Sequence, residues 1–454
     1  MIQRIFALLM SILTLLSGCV FKSYDDDFNI VANSVISDSG LHEINKKEIT
    51  AINHNKEFNY YGLKYTSDEY LKCTLVYLVG KNRVVEEFFL EPSETEKEFY
   101  SFIDDALDGE TANSLVEFTC APLNAKKANV KYVALSVFLR EVPDREVFIE
   151  TESYKLGVDL LWGGALSYLE DMNSDVEAVK VDGKIKVDSN ASERYDTRAV
   201  NENVNLINRY DPGRLVQQSY YGTVEAPYEP GVYMDNTWNY NPVQGGNQHG
   251  ENSKIVDIKC TDNEIYVKCR PLDWAKTKEF ITPSYMEAWY KIEGKNVHVK
   301  CRFTDFSGYK ETPRTQELPA FYCIEPLNTF VYYDGVEPFS KENKLCIEDS
   351  LIFWPDAGYP NFKSVEQWSA FRGEFSDSFG IGIYMPTHDT FLTGVFARGE
   401  TTEKDPSIDA PTSYIAVVKD YVFESFKPKE YDYYISTGTT DEIRSNFEEI
   451  SDLV

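Results

Sequence analysis

Apolar and polar residues alternate with a period of two along most of this chain, and the alternation breaks at turn-forming residues. Leu71-Lys72-Cys73-Thr74-Leu75-Val76-Tyr77 is one such run, and Gly80-Lys81-Asn82 turns it into Val84-Val85-Glu86-Glu87-Phe88-Phe89-Leu90. The pattern predicts a β-hairpin. Further hairpins are predicted from Val179 to Val187 around Asp182-Gly183, from Ile255 to Cys269 around Asp262-Asn263, and from Ala288 to Phe303 around Gly294-Lys295-Asn296. In the last of these Val297, Val299, Cys301 and Phe303 point one way, and His298, Lys300 and Arg302 the other. Such a strand has one face on a core and one on a polar cleft or solvent. Helical signals are short. Ser93-x-x-Glu96 after Pro92 predicts a capping box opening a helix with Phe99, Phe102 and Ile103 on one face. Ile443, Phe447 and Ile450 predict a terminal helix behind Thr440.

This pattern places the protein in the all-β class. Residues 30–148, including a predicted strand from Val130 to Leu139, read as a small β-sandwich without a catalytic cluster, serving as spacer or accessory glycan-binding module. Residues 149–454 read as one long β-rich unit without internal repeats, which at this length implies large antiparallel sheets packed as a sandwich. Pro143 and the polar run Asp144 to Ser153 have linker character, although Val147-Phe148-Ile149 can instead form a strand. Limited proteolysis is expected to cut there, leaving a fragment from Ile149 that folds alone.

The N-terminus changes the picture. Arg4 precedes an apolar stretch from Ile5 to Leu16, and Leu16-Ser17-Gly18-Cys19 follows. This layout resembles a bacterial secretory signal with a lipobox. It implies a signal peptide over residues 1–18, cleavage before Cys19, and lipidation of Cys19, whose acyl chains are then the expected membrane contact. Residues 19–29 form the lipidated cysteine and a tether. Its Asp25-Asp26-Asp27 cluster is either a solvated linker or similar to the acidic surface-export signals of some Gram-negative lipoproteins. The expected location is the cell envelope, lipid-anchored and facing outward.

A formal net charge of −29 repels phosphate backbones, which argues against nucleic acid as a partner. The seven cysteines beyond Cys19 contain no CxxC pair, so no zinc or redox motif is signalled and no metal or other cofactor is expected. Buried free thiols are the expected state, with a Cys73–Cys120 disulfide left open. The 31 Tyr and 27 Phe suit sheet surfaces and can also stack on sugar rings.

Three segments are more polar than sheet building requires. In Asn208-Arg209-Tyr210-Asp211-Pro212-Gly213-Arg214-Leu215-Val216-Gln217-Gln218-Ser219-Tyr220-Tyr221 the Asp-Pro-Gly turn aims Arg214, Gln217 and Gln218 from a rigid corner. Together with Tyr220 and Tyr221 they can hydrogen-bond hydroxyls or a carboxylate, or brace the corner. In Trp238-Asn239-Tyr240-Asn241-Pro242-Val243-Gln244-Gly245-Gly246-Asn247-Gln248-His249-Gly250, Trp238 offers a stacking face beside Gln244 and Asn247. His249 is the acid–base candidate there by residue type. In Pro313-Arg314-Thr315-Gln316-Glu317-Leu318-Pro319-Ala320, Glu317 can act as base or hydroxyl acceptor beside Gln316 with Arg314 setting its charge, or the Arg–Glu pair can clamp a loop.

These segments, together with Leu156-Gly157-Val158-Asp159-Leu160-Leu161-Trp162-Gly163-Gly164-Ala165, resemble a family of bacterial secreted proteins with patterns WGGA, YDxGRxxQQSYY, WNPxQGG and RTQELPA. That family is similar to the galactose-mutarotase-like super-sandwich of aldose epimerases, many polysaccharide lyases and glycosidase domains. The chain departs from the pattern in reading Trp238-Asn239-Tyr240-Asn241-Pro242 and in inserting a charged hairpin from Asp175 to Asp188. The resemblance implies a cleft on the concave face of the larger sheet and a carbohydrate ligand. A mutarotase-like acid–base pair would use His249, or His298, with Glu317. A lyase would use Arg214, Gln217, Tyr220 and Asn247. A glycosidase would use two carboxylates, for which Asp211 and Glu317 stand. A non-catalytic glycan-binding or structural envelope lipoprotein is the competing class.

Overall fold

The structure is a computed structural model describing residues 33–453 apart from 196–197, 202–203, 223–229, 278–279, 309–312, 342–343 and 356–357. The signal peptide, Cys19 and the tether lie outside the described residues. Among the described residues the strands form six antiparallel sheets, and the all-β reading holds.

A five-stranded and a four-stranded sheet, drawn from residues 33–138, make the first sandwich. Its hairpin Leu71–Val79/Asn82–Leu90 pairs as the alternation predicts, with Leu71, Cys73, Leu75 and Tyr77 buried. The capping-box helix at Ser93 does not form. Ser93–Phe102 is a strand paired with Tyr60–Ser67, which supplies its backbone hydrogen bonds. The local helix signal loses because the ladder also buries Phe99 and Phe102 in the sandwich.

A ten-stranded and a nine-stranded sheet make the second unit. All three predicted hairpins of this region are present. Along Asn296–Asp305, Val297, Val299, Cys301 and Phe303 are buried and the residues between them partly open. Their core is shared with Leu166, Val216, Phe321, Ile415 and Val417 of the ten-stranded sheet. Polar bonds cross between the two sheets: Gln218 Nε2 donates to the Glu287 carbonyl at 3.0 Å, and Tyr154 Oη donates to the Lys295 carbonyl at 2.8 Å. The inserted hairpin Glu177–Val181/Lys184–Asp188 joins Arg198–Asn201 in a small sheet of its own.

The outer face of the nine-stranded sheet is covered at both ends. Helix Thr440–Ser451, whose Thr439 and Glu442 form a capping box, lays Ile443, Phe447 and Ile450 on Val331, Tyr333, Trp368 and Tyr384. The other end carries the first sandwich. There Arg302 bridges Glu91 and Glu287, each at 2.7 Å, and Tyr60 Oη and Arg140 both bond Asp257, at 2.7 and 3.0 Å. Phe89 stacks on Phe306 with ring centroids 5.1 Å apart. One apolar core therefore runs through both units. The change of sheets falls between Phe138 and Glu146, because Glu146–Glu150 already pairs as an edge of the ten-stranded sheet.

The seven described cysteines are free thiols and six are buried. Cys73 and Cys120 are cross-strand partners without a disulfide, the Cys73 thiol donating to Cys120 Sγ at 3.5 Å.

Candidate functional site

The outer face of the ten-stranded sheet is left partly uncovered, and a pocket of about 240 Å³ opens there. Period two decides which side chains reach it. Along Val216–Tyr221, Gln217, Ser219 and Tyr221 line the pocket, while Val216, Gln218 and Tyr220 turn into the core between the sheets. Along Arg314–Ile324 a register shift between Glu317 and Ala320 puts Glu317, Ala320 and Tyr322 on the pocket side. Tyr414 joins them from the neighbouring strand.

Aromatic rings dominate the lining. Tyr221, Tyr322 and Tyr414 form the sheet surface, Trp238, Tyr233 and Trp274 one wall, and Phe353, Trp354 and Tyr359 another. Tyr322 packs against Tyr414 with centroids 4.6 Å apart, and Tyr233 meets Trp238 edge-on at 5.0 Å. Trp354 is 56% exposed and holds φ at 53°, a left-handed conformation that bulky residues rarely adopt. The Tyr359 hydroxyl accepts its backbone N–H at 2.8 Å.

Glu317 is the one ionisable carboxyl among the described lining residues. Tyr414 Oη donates to its Oε1 at 2.6 Å and Tyr221 Oη to the same atom at 3.2 Å. Oε2 therefore has no protein partner among the described residues. Burial pushes the carboxyl above its ordinary range, more than the two phenols, which favour the anion, pull it back. The same burial, reinforced by Glu317, drives the Tyr414 and Tyr221 hydroxyls well above theirs, so both remain donors.

The structure brings together Gln217, Trp238 and Glu317. Gln217 is also a brace, donating to the Pro212 carbonyl at 2.8 Å and accepting from Gly245 N at 2.6 Å. Arg214 stands beside the pocket, its guanidinium 5.3 Å from the Tyr322 ring centroid and 5.6 Å from that of Phe396.

The other expected site residues are placed elsewhere. His249 is exposed on a turn away from the lining, and His298 pairs with Asp432 at 2.8 Å on the nine-stranded sheet. Asp211 closes its own turn, accepting Gly213 N at 2.8 Å, and does not line the pocket. Gln218 and Tyr220 bond each other at 2.8 Å inside the core. Gln244, also internal, donates to the Gly163 carbonyl at 3.1 Å. Asn247 ties its loop to Glu251 and to the Lys276 carbonyl. Gln316 clamps both backbone groups of Tyr221, at 2.8 and 2.7 Å. Arg314 does not pair with Glu317: three residues apart on a strand, the two leave by opposite faces.

Tyr221, the second tyrosine of the Arg214–Tyr221 segment, lines the pocket, whereas Tyr322, Tyr414, Trp274, Trp354 and Tyr359 carried no signal in the sequence. Alternation from Gln217 puts Tyr221, and not Tyr220, on the pocket side. Among the described residues no group of three His, Cys, Asp or Glu side chains is placed to hold a metal ion.

Comparison with protein-family models and with curated proteins finds no match. Among solved structures the similarity is distant. A putative aldose 1-epimerase from Escherichia coli K12 is similar over 65% of this chain and 99% of its own, at 9% identity and a TM-score of 0.36. A galactose mutarotase related enzyme from Lactobacillus acidophilus is similar over 65% and 98%, at 10% identity and 0.33. An α-mannosidase from Enterococcus faecalis is similar over 90% of this chain and 44% of its own, at 8% and 0.33. None of the three reaches a TM-score of 0.5, so what the pocket binds is read from its own side chains.

Proposed function

We propose that this protein is an envelope lipoprotein, anchored through Cys19, that binds a neutral carbohydrate in the aromatic pocket. The observation that carries the reading is Glu317. Its carboxyl sits among aromatic rings with Oε1 fixed by two phenols and Oε2 open to a ligand. Aromatic faces pack on the apolar faces of sugar rings, and an open carboxyl oxygen exchanges a hydrogen bond with a sugar hydroxyl. The cavity has room for about one ring. The described lining holds no Lys, Arg or His to neutralise a uronate, which favours a neutral sugar over an acidic one.

Processing of the sugar is the second reading, favoured by the raised pKa of Glu317. A carboxyl whose protonated form burial favours beyond its ordinary range can donate to a glycosidic or ring oxygen as a general acid.

Both readings are tested with the protein from Val20 onward and a polysaccharide panel, following binding, reducing ends and unsaturated-uronate absorbance. Binding of neutral glycans supports the first reading, and new reducing ends lost in Glu317→Gln support the second. Unsaturated uronate, or no binding at all, contradicts both.

A further inference from the structure

A second cavity, of about 430 Å³, lies where the first sandwich meets the outer face of the nine-stranded sheet. One wall is Phe99 and Tyr100 with Leu90 and Glu91 of the first sandwich, and the floor is Tyr266, Lys268, Glu287 and Trp289 of the sheet. We propose that this junction is a second carbohydrate site, which takes a segment of a neutral polysaccharide chain with one ring stacked on Trp289.

Three observations carry it. Trp289 is partly open on the strand and is flanked by Tyr266, with ring centroids 5.0 Å apart and planes at 39°. The two rings form a tilted platform of the kind on which a sugar face rests.

Lys268 supplies the donors. Its ammonium lies 4.3 Å from the Tyr285 ring centroid and 5.1 Å from that of Phe99. Its nearest carboxylate oxygen, on Glu287, is 4.0 Å away, beyond hydrogen-bond reach. Among the described residues its N–H groups therefore face rings rather than a close carboxylate, while Arg302 is committed to Glu91, Glu287 and Glu430 and Lys97 to Glu91. A hydroxyl above Trp289 can accept from Lys268.

The cavity is also preformed. Arg302 to Glu91, Lys254 to Glu86 and Arg140 to Asp257 lock the two units together, so no ordering of the walls opposes binding. Charge selects a neutral ligand. Lys97, Lys259, Lys268 and Arg302 face Glu91, Glu98, Asp257, Glu264 and Glu287, which leaves no surplus of positive charge for a polyanion. The first sandwich thus does more than space the second unit from the membrane.

The inference shares its ligand class with the Glu317 pocket, but separate variants report on each. Affinity electrophoresis through gels containing xyloglucan, galactomannan, arabinoxylan, amylopectin or polygalacturonate compares the wild type with Trp289→Ala, Lys268→Met and Trp354→Ala. Trp289→Phe, which keeps a stacking ring, controls for loss of packing. The expected result is retardation by a neutral polysaccharide. Trp289→Ala and Lys268→Met each weaken it at least fivefold, Trp289→Phe restores most of it, and Trp354→Ala leaves a residual that the combined Trp354→Ala/Trp289→Ala variant loses. Unchanged retardation in Trp289→Ala and Lys268→Met overturns the junction site even if Trp354→Ala abolishes binding. Preference for polygalacturonate, loss in Trp289→Phe equal to that in Trp289→Ala, or retardation by none of the five overturns it too. Loss in the Trp289 variant with none in the Trp354 variant keeps the junction and contradicts the pocket.

Discussion

The phenol of Tyr414 donates a 2.6 Å hydrogen bond to Glu317 Oε1, and it does so from the neighbouring strand of the same sheet. The bond orients the carboxyl but does not offset its burial, so the folded pKa stays above the ordinary carboxyl range. A raised folded pKa favours the protonated form. Its contribution to stability is full below the unfolded value and is lost as pH rises through the folded value. Glu317→Gln, neutral at every pH, should therefore gain on the wild type as pH rises above the ordinary carboxyl range. The gain is about 1.4 kcal/mol for each unit of elevation. Thermal melts of the two proteins across pH check this, and a constant offset would contradict it.

Arg302→Ala should be among the most destabilising single changes. It leaves Glu91 and Glu287 as buried carboxylates without their shared cation, at a cost of about 3–5 kcal/mol. Burial alone would raise the pKa of Glu91, but Arg302 and Lys97 hold it down at about 2. A depressed carboxyl contributes stability that is lost as pH falls through the range between its unfolded and folded values. Denaturant melts should show the wild type losing stability below about pH 4.5, with a shallower loss in Arg302→Ala.

A fragment beginning at Ile149 should fail to fold as a soluble monomer, contrary to what linker composition suggests. It would cut inside the strand Glu146–Glu150 and bare Tyr285 and Phe306. It would also leave Asp257 and Lys254 without Arg140, Tyr60 and Glu86. Gel filtration of the fragment beside the full protein checks this; a monomer of wild-type melting temperature would contradict it.

Cys19→Ser should abolish incorporation of labelled fatty acid when the gene is expressed in a bacterium, because no other residue offers the lipobox thiol. Label retained on the variant would contradict the anchor.

The strands were legible because alternation is a local property: each hairpin carries its own turn residues and its own buried face. Ser93–Phe102 misled because its helix signal is local too, while the strand pairing that overrides it comes from Tyr60–Ser67. Gln217, Trp238 and Glu317 stood out because their segments are more polar or aromatic than sheet building requires, but they lie far apart in sequence and only the fold sets them around one pocket. His249 was chosen by residue type, which says nothing about where a loop tip points. Trp274, Trp354 and Tyr359 arrive from segments with no polar signature, and only the folding of the sheet gathers them around Glu317.

The pocket over Glu317 is proposed to bind a neutral sugar. Titration calorimetry of the wild type, Trp354→Ala and Glu317→Ala against the best-binding neutral glycan tests it most directly. The expected result is a single-ring contribution lost in both variants, with affinity reduced at least tenfold, about 1.4 kcal/mol, and melting temperatures little changed in Trp354→Ala. Wild-type affinity in both variants would contradict it.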